Sequence, residues 1–273
     1  MNKILCSTGA ITGTANGYDY KLLETLSKQL MCDGFELMIL SPWYKDIEIL
    51  KSYLQKMGCY IPIVHCEKSI GEMISKGGGA ELEEAYRMFA MDCDVAKSIG
   101  AKSLVLHLWG GLASDSNFQS NINAYQFINE MALEYGLDLL IENVVCNVEN
   151  PMKHLCELKE KYPNIRFVFD TKMAAFHEQL DLLYEAKYEW LWKEEHICHY
   201  HVNDYAGGYM DWSNLRTLPI GKGKVDFRRF FEFMKRIEYK GDFTVEATAF
   251  NSEGIVDVAM LNEQFKYIKE SIG

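Results

Sequence analysis

Four apolar stretches of the chain end on groups that bind cations or move protons. LLIEN reaches Glu142, FVFD reaches Asp170, HYHVND carries His201, and FTVEA reaches Glu246. Strand side chains alternate faces, so His199, His201 and Asn203 share one side while Tyr200 and Val202 share the other. A buried polar group left unpaired costs about 1–3 kcal/mol, so a strand with imidazoles along one face must use them. Three carboxylates and one imidazole form an oxygen-rich, fairly hard donor set. Such a set suits one divalent cation with coordination positions left for substrate oxygens: Mn²⁺ first, then Mg²⁺, Co²⁺ or Zn²⁺. Each acid taken alone could instead cap a helix or pair with a lysine; four at neighbouring strand ends make that reading much weaker.

Two further histidines close apolar runs, His65 in IVH and His107 in LVLH. Both are expected to contact substrate, since a lone strand-end histidine is more often a hydrogen-bonded pocket wall than a ligand; holding a second metal is the other role open to them. His199 lies deeper on the strand of His201 and reads as a supporting or core group. His177 is expected as a surface histidine on the loop beyond Asp170. Trp109, before Gly110 and Gly111, could form an apolar wall for a sugar ring or pack beneath a loop. In the later stretch LRTLPIGKGKVDF, Gly221 and Gly223 allow backbone conformations closed to other residues, and Asp226 could cap the following helix. Arg216 is the residue of that loop assigned to substrate.

Positioning these residues takes a regular scaffold. Apolar runs at 34–40, 59–67, 103–111, 138–142, 165–170 and 242–247, with the amino-terminal KILCSTGA and the run through His201, give eight strands. Helical patterns at 18–30, 45–57, 80–99, 117–135, 151–161, 178–194, 226–237 and 256–272 alternate with them. Near-continuous apolar strands between amphipathic helices mean a parallel sheet, and eight units in this length fit a closed α/β barrel, a single (β/α)8 TIM barrel over residues 1–273. No G-x-G-x-x-G follows the first strand, which disfavours an open doubly wound sheet. In such a barrel the active site lies at the carboxyl ends of the strands, where the residues above fall. An inward Glu142 places Leu140 on the lumen, and an inward Asp170 places Val168 there.

Composition narrows the partners. With 39 acidic against 28 basic residues the net charge is −11, which disfavours nucleic acid and favours a small-molecule substrate. No signal peptide or unbroken apolar span is evident, so a soluble cytoplasmic protein without membrane contact is expected; a homo-oligomer is left open. The eight cysteines are scattered and lack a C-x-x-C pair; Cys6, Cys66 and Cys198 read as buried thiols.

The ordered series IVHCE, LVLHLWGG, LLIENV, FVFDTK, HYHVNDY, LPIGKGKVDF and FTVEA resembles the xylose-isomerase-like TIM barrel superfamily. This is the sugar phosphate isomerase/epimerase group, which also holds ketose 3-epimerases and endonuclease-IV-like AP endonucleases. The resemblance covers nearly the whole chain. It implies metal ligands at Glu142, Asp170, His201 and Glu246, with the two glutamates as the acid/base pair. The trinuclear zinc endonucleases look similar at His65 and His107 but need a histidine where this chain has Met173, and an Asp-x-His pair where it has Asp211-Trp212-Ser213. Met173 also replaces a substrate-contacting histidine of many ketose epimerases, leaving the sugar open.

The expected activity is therefore metal-dependent isomerisation or epimerisation of a small sugar, sugar phosphate or sugar derivative, by proton transfer through a metal-stabilised enediolate. A dehydratase or lyase on a related polyol or inosose is the alternative, because the same enediolate can expel a β-hydroxyl. An endonuclease-IV-like phosphodiesterase and a sugar-binding barrel without turnover stand further off.

Overall fold

The computed structural model describes residues 2–273. Its strands are β1 (Ile4–Ser7), β2 (Gly34–Met38), β3 (Ile63–His65), β4 (Ser103–Leu106), β5 (Asp138–Glu142), β6 (Arg166–Asp170), β7 (Ile197–His201) and β8 (Asp242–Val245). They follow one another in the closed order β1 to β8 with parallel pairing, which is the (β/α)8 TIM barrel expected from the sequence. The α-helices of the described residues are α1 (Leu22–Leu26), α2 (Ile47–Met57), α3 (Ser69–Lys76), α4 (Gly79–Ile99), α5 (Phe118–Glu134), α6 (Pro151–Lys161), α7 (Thr171–Phe176), α8 (Trp190–Lys193), α9 (Phe227–Arg236) and α10 (Val258–Ile272). Contacts divide the chain into two compact units. One comprises the residues up to Leu37, Met57–Tyr60 and Phe169–Gly273; the other comprises Met38–Lys56 and Ile61–Val168. Two of the divisions fall inside β2 and β6.

In the first unit, α9 shows how a helix is fastened to the strands. Asp226 caps it by accepting from the Arg229 N–H at 3.0 Å, as its position in the sequence suggested. The helix buries Phe227, Phe230, Phe231, Phe233 and Met234, an apolar stripe of helical spacing. Phe230 meets Tyr200 of β7 and Phe231 meets Phe243 of β8, with ring centroids 5.5 and 5.9 Å apart. Tyr200 thus faces the helices, and the alternation along β7 turns His199 and His201 the other way.

The single helix expected at 178–194 does not form. Asp170 accepts from the Met173 N–H at 2.9 Å, so α7 starts directly at the end of β6. It stops at His177, and Glu178 takes a left-handed φ of 54°. Two 3₁₀ turns (Leu180–Tyr184 and Ala186–Tyr188) and α8 follow. Leu180, Leu183 and Leu191 anchor this stretch. With Tyr and Trp scattered around them they make no one stripe, which is why no single helix results.

In the second unit, α3 is an addition to strict strand and helix alternation. Its core residues Ile70 and Ile74 are buried, and Gly77 with φ 77° ends it before α4 begins. Three successive glycines, Gly77 to Gly79, mask this helix in the sequence, since they read as loop. Gly71 is needed for close approach: a Cβ there would collide with the backbone carbonyl of His107. In β4 and β5, Leu104, Leu106, Leu139 and Ile141 are buried, and Leu104 lies opposite Leu139 in register.

No helix among the described residues is long and apolar enough to cross a membrane. The eight cysteines form no disulfide; Cys6 and Cys66 are buried as expected, whereas Cys198 is partly exposed.

Candidate active site at the strand ends

The first unit brings Asp170, His201 and Glu246 together. Each offers one ligand atom, and those atoms lie within 4.8 Å of one another. Asp170 and His201 are fully buried, and the side chain of Glu246 is only 10% exposed. His201 Nδ1 stands 3.6 Å from Glu246 Oε2, beyond hydrogen-bonding range but suited to two ligands of one cation.

Asn203, just beyond β7, fixes the two carboxylates. Its side-chain amide donates to Asp170 Oδ2 at 2.9 Å and to Glu246 Oε2 at 3.0 Å, while its own oxygen accepts from the Glu246 backbone N–H at 3.0 Å. Thr171 supports it, accepting from the Asn203 N–H at 2.9 Å and donating to the Asn203 carbonyl at 2.7 Å. The sequence reading placed Asn203 on the face of His201 but gave it no task. The signal was an amide at the strand end, on a face that otherwise carries imidazoles.

The second unit brings His65, His107 and Glu142 together. His107 Nε2 lies 2.7 Å from Glu142 Oε2, and His65 Nε2 lies 3.3 Å from the same oxygen. His65 Nδ1 donates to the Cys66 carbonyl at 2.8 Å, because a carbonyl can only accept. The two rings meet edge to face with centroids 4.9 Å apart. Burial pushes the His107 pKa down to about 4, outweighing the opposing pull of Glu142, which favours the neutral imidazole.

A second network pins the adjoining loops. Trp109 is fully buried, donates to the Val144 carbonyl at 3.2 Å and packs edge-on against Phe118 and His154. Of the two roles the sequence left open for it, this packing is the one beneath a loop. Asp115 accepts from the backbone N–H groups of Asn147, Val148 and Glu149, at 2.7, 3.0 and 2.8 Å, and from His154 Nε2 at 2.9 Å. Burial alone would raise its pKa, but His154 and those three donors hold it well below the usual carboxylate range.

The loop after β7 is built on Asp204, also without an assigned part in the sequence reading. Its buried carboxylate accepts from the N–H groups of Gly221, Gly223 and Val225 at 2.9, 2.8 and 3.0 Å. Gly221 uses its freedom in a left-handed φ of 80°. Gly223 is needed for space instead, since a Cβ there would strike the Tyr205 carbonyl and Asp204. Arg216 is exposed on this loop. His177 is not a surface residue: it is 4% exposed and packs against Phe176, because α7 ends there and turns it inward.

The donor set fits a divalent cation. Two carboxylates and an imidazole converge in a buried space where a single amide bridges the acids, and like charges held this close call for a counter-charge. Oxygen and imidazole donors with no thiolate suit Mn²⁺, Mg²⁺ or Co²⁺.

The sequence profile of the xylose isomerase-like TIM barrel matches residues 25–271. An L-ribulose 3-epimerase of Methylomonas sp. (strain DH-1) is 26% identical over 267 residues, covering 93% of this chain and 81% of the relative. Among solved structures, a D-allulose 3-epimerase from Methylomonas sp. in complex with D-allulose superposes with TM-score 0.72 at 18% identity, covering 99% of this chain and 97% of that one. A 3-keto-D-glucoside 4-epimerase from E. coli does so with TM-score 0.65 at 15% identity, covering 99% and 100%. With nearly its whole length matched by the family profile and its strands closed in the family's order, the chain belongs to the xylose isomerase-like TIM barrel family.

Proposed function

We propose that the chain is a divalent-metal-dependent isomerase or epimerase of a small sugar, sugar phosphate or sugar derivative. The convergence of Asp170, His201 and Glu246 on one point carries this reading. Glu142 ends β5, the neighbour of β6 in the closed order, and is the proposed fourth ligand. A cation held by these four would stabilise negative charge building on the sugar carbonyl oxygen. Glu142 and Glu246 are the proposed acid/base pair, one removing a proton from the carbon next to the carbonyl and the other returning one to the resulting enediolate. His107 stands beside Glu142, and the hydrogen bonds of Asn203 hold Glu246 in place. His65, His107 and Arg216 are the proposed substrate contacts, with Trp109 fixing the chain at Val144.

The activities of the relatives support a sugar epimerase: one is an L-ribulose 3-epimerase, and another was solved with D-allulose. A cytoplasmic setting belongs to the same reading.

The test is turnover of a panel of ketoses and their phosphates with Mn²⁺ in D₂O. An isomer carrying solvent deuterium at the carbon next to the carbonyl is the expected product. Loss of water instead would transfer the chain to the dehydratases, and an isomer formed without deuterium from any panel member would remove the proton-transfer mechanism.

A further inference from the structure

Behind His201 lies a carboxylate that nothing above uses. Glu36 sits within β2 opposite Ser7 and is fully buried. Burying an ionised carboxylate costs several kcal/mol unless partners repay it, so its surroundings should explain its presence. His201 Nε2 lies 3.0 Å from Glu36 Oε1 and 3.2 Å from Oε2. Thr244 Oγ1 donates to Oε2 at 2.7 Å, and His199 Nε2 stands 2.7 Å from that hydroxyl and 3.2 Å from Oε2.

Counting protons settles the tautomers. The Thr244 hydroxyl has one hydrogen and gives it to the carboxylate, so its oxygen must accept from His199, which places a proton on His199 Nε2. His201 Nε2 is bonded to carboxylate oxygen, an acceptor, so it too carries a proton. In a neutral imidazole the other nitrogen then has the lone pair, and His201 Nδ1 is the nitrogen on the Glu246 side.

We propose that Glu36 is a positioning residue for His201: by accepting the Nε2 proton it makes Nδ1 the ligating atom and fixes the plane of the ring. Thr244 and His199 hold Glu36 in turn, which gives His199 its part. The proposal rests on the metal reading above. Metal-binding histidines commonly donate their second nitrogen to a carboxylate, and losing such a partner typically weakens metal binding about 10–100-fold.

The experiment uses the full chain, stripped of metal, and reads two quantities. Two-bond ¹H–¹⁵N spectra, taken above the imidazole titration range, report the tautomers of His199 and His201. Competition of the protein with a chelating dye for Mn²⁺ reports affinity, in the wild type and in Glu36→Gln and Glu36→Leu. Expected are Nε2–H tautomers for both histidines and Mn²⁺ affinity about 10-fold weaker in Glu36→Gln and about 100-fold weaker in Glu36→Leu. A His201 proton on Nδ1 in the wild type overturns the proposal, as does a folded Glu36→Gln variant binding Mn²⁺ within threefold of the wild type. Should both variants fail to fold, the wild-type tautomer decides. A wild-type chain that takes up no divalent cation is a different result: it overturns the metal reading itself, whatever the tautomers.

Discussion

The Asn203 side-chain nitrogen stands 2.9 Å from Asp170 Oδ2, and its second hydrogen bond reaches Glu246 Oε2 at 3.0 Å. One neutral donor therefore spaces two acids that the same cation would bridge. Without a cation the amide tempers their repulsion; with one bound it would keep each carboxylate turned toward the shared point.

Asn203→Asp should accordingly destabilise the metal-free protein. The change removes both donated bonds and adds a third negative group. Unmade hydrogen bonds to buried charged groups cost about 1–3 kcal/mol or more, which for a chain of this size lowers Tm by roughly 2–4 °C per kcal/mol. Thermal unfolding with and without Mn²⁺ checks this. Saturating metal should recover part of the loss, and an unchanged metal-free Tm would show that the amide bridge does not matter.

One cation per chain is expected after purification without chelator, and dialysis against a chelator should abolish turnover until Mn²⁺ is restored. His201→Ala removes the one nitrogen donor of the set and should cut metal content sharply. Equal metal content in that variant would sink the assignment.

The eight strands were legible because each is a short apolar run and parallel strands are buried on both sides. The strand ends were legible for the opposite reason, since an acid or imidazole finishing such a run has few cheap explanations. Glu36 was hidden in GFELMIL because a single acid inside a strand has no partner in its own segment: His201 is 165 residues away in sequence. Asn203 and Asp204 were visible as residue types, but their tasks depend on groups brought by other strands and loops. The helix expected at 178–194 does not form because the apolar residues there do not fall on one helical face. His177 was misplaced along with it.

Asp92 gives a prediction in pH. Burial raises its carboxyl to about 8, against the lowering effect of bonds from the Glu67 N–H at 3.0 Å and the Tyr44 hydroxyl at 2.8 Å. The folded chain thus holds a proton there that the unfolded chain, with a carboxyl pKa near 3.9, has lost. Its contribution is fully present below about pH 4 and is lost as pH rises through about 8. Asp92→Asn removes this titration, because the amide stays neutral at every pH. Urea unfolding at pH 6 and pH 9 should show the variant gaining stability relative to the wild type at the higher pH. A gap between the two proteins that is constant with pH would mean that Asp92 ionises normally in the fold.

Glu246→Gln should separate metal binding from proton transfer. The amide keeps the shape and one coordinating oxygen, so the other ligands can still hold a cation, though more weakly. It cannot accept a proton at neutral pH. Losing a general base typically costs 10²–10⁴-fold in rate, or about 3–5 kcal/mol of barrier. The variant also inherits Asn203, whose amide would now face a group half donor and half acceptor; the side chain can turn its oxygen to that donor and preserve the bond. If Glu246 is only a ligand, activity and metal content should fall together and excess Mn²⁺ should restore both. If it carries the proton, saturating metal will leave the rate low, and exchange of the substrate's α-proton with solvent should fail on one face while continuing on the face served by Glu142. Near-normal turnover at high Mn²⁺ would remove Glu246 from the acid/base pair. Glu142 would then need another partner, and His107, whose Nε2 lies 2.7 Å from its carboxylate, is the nearest candidate.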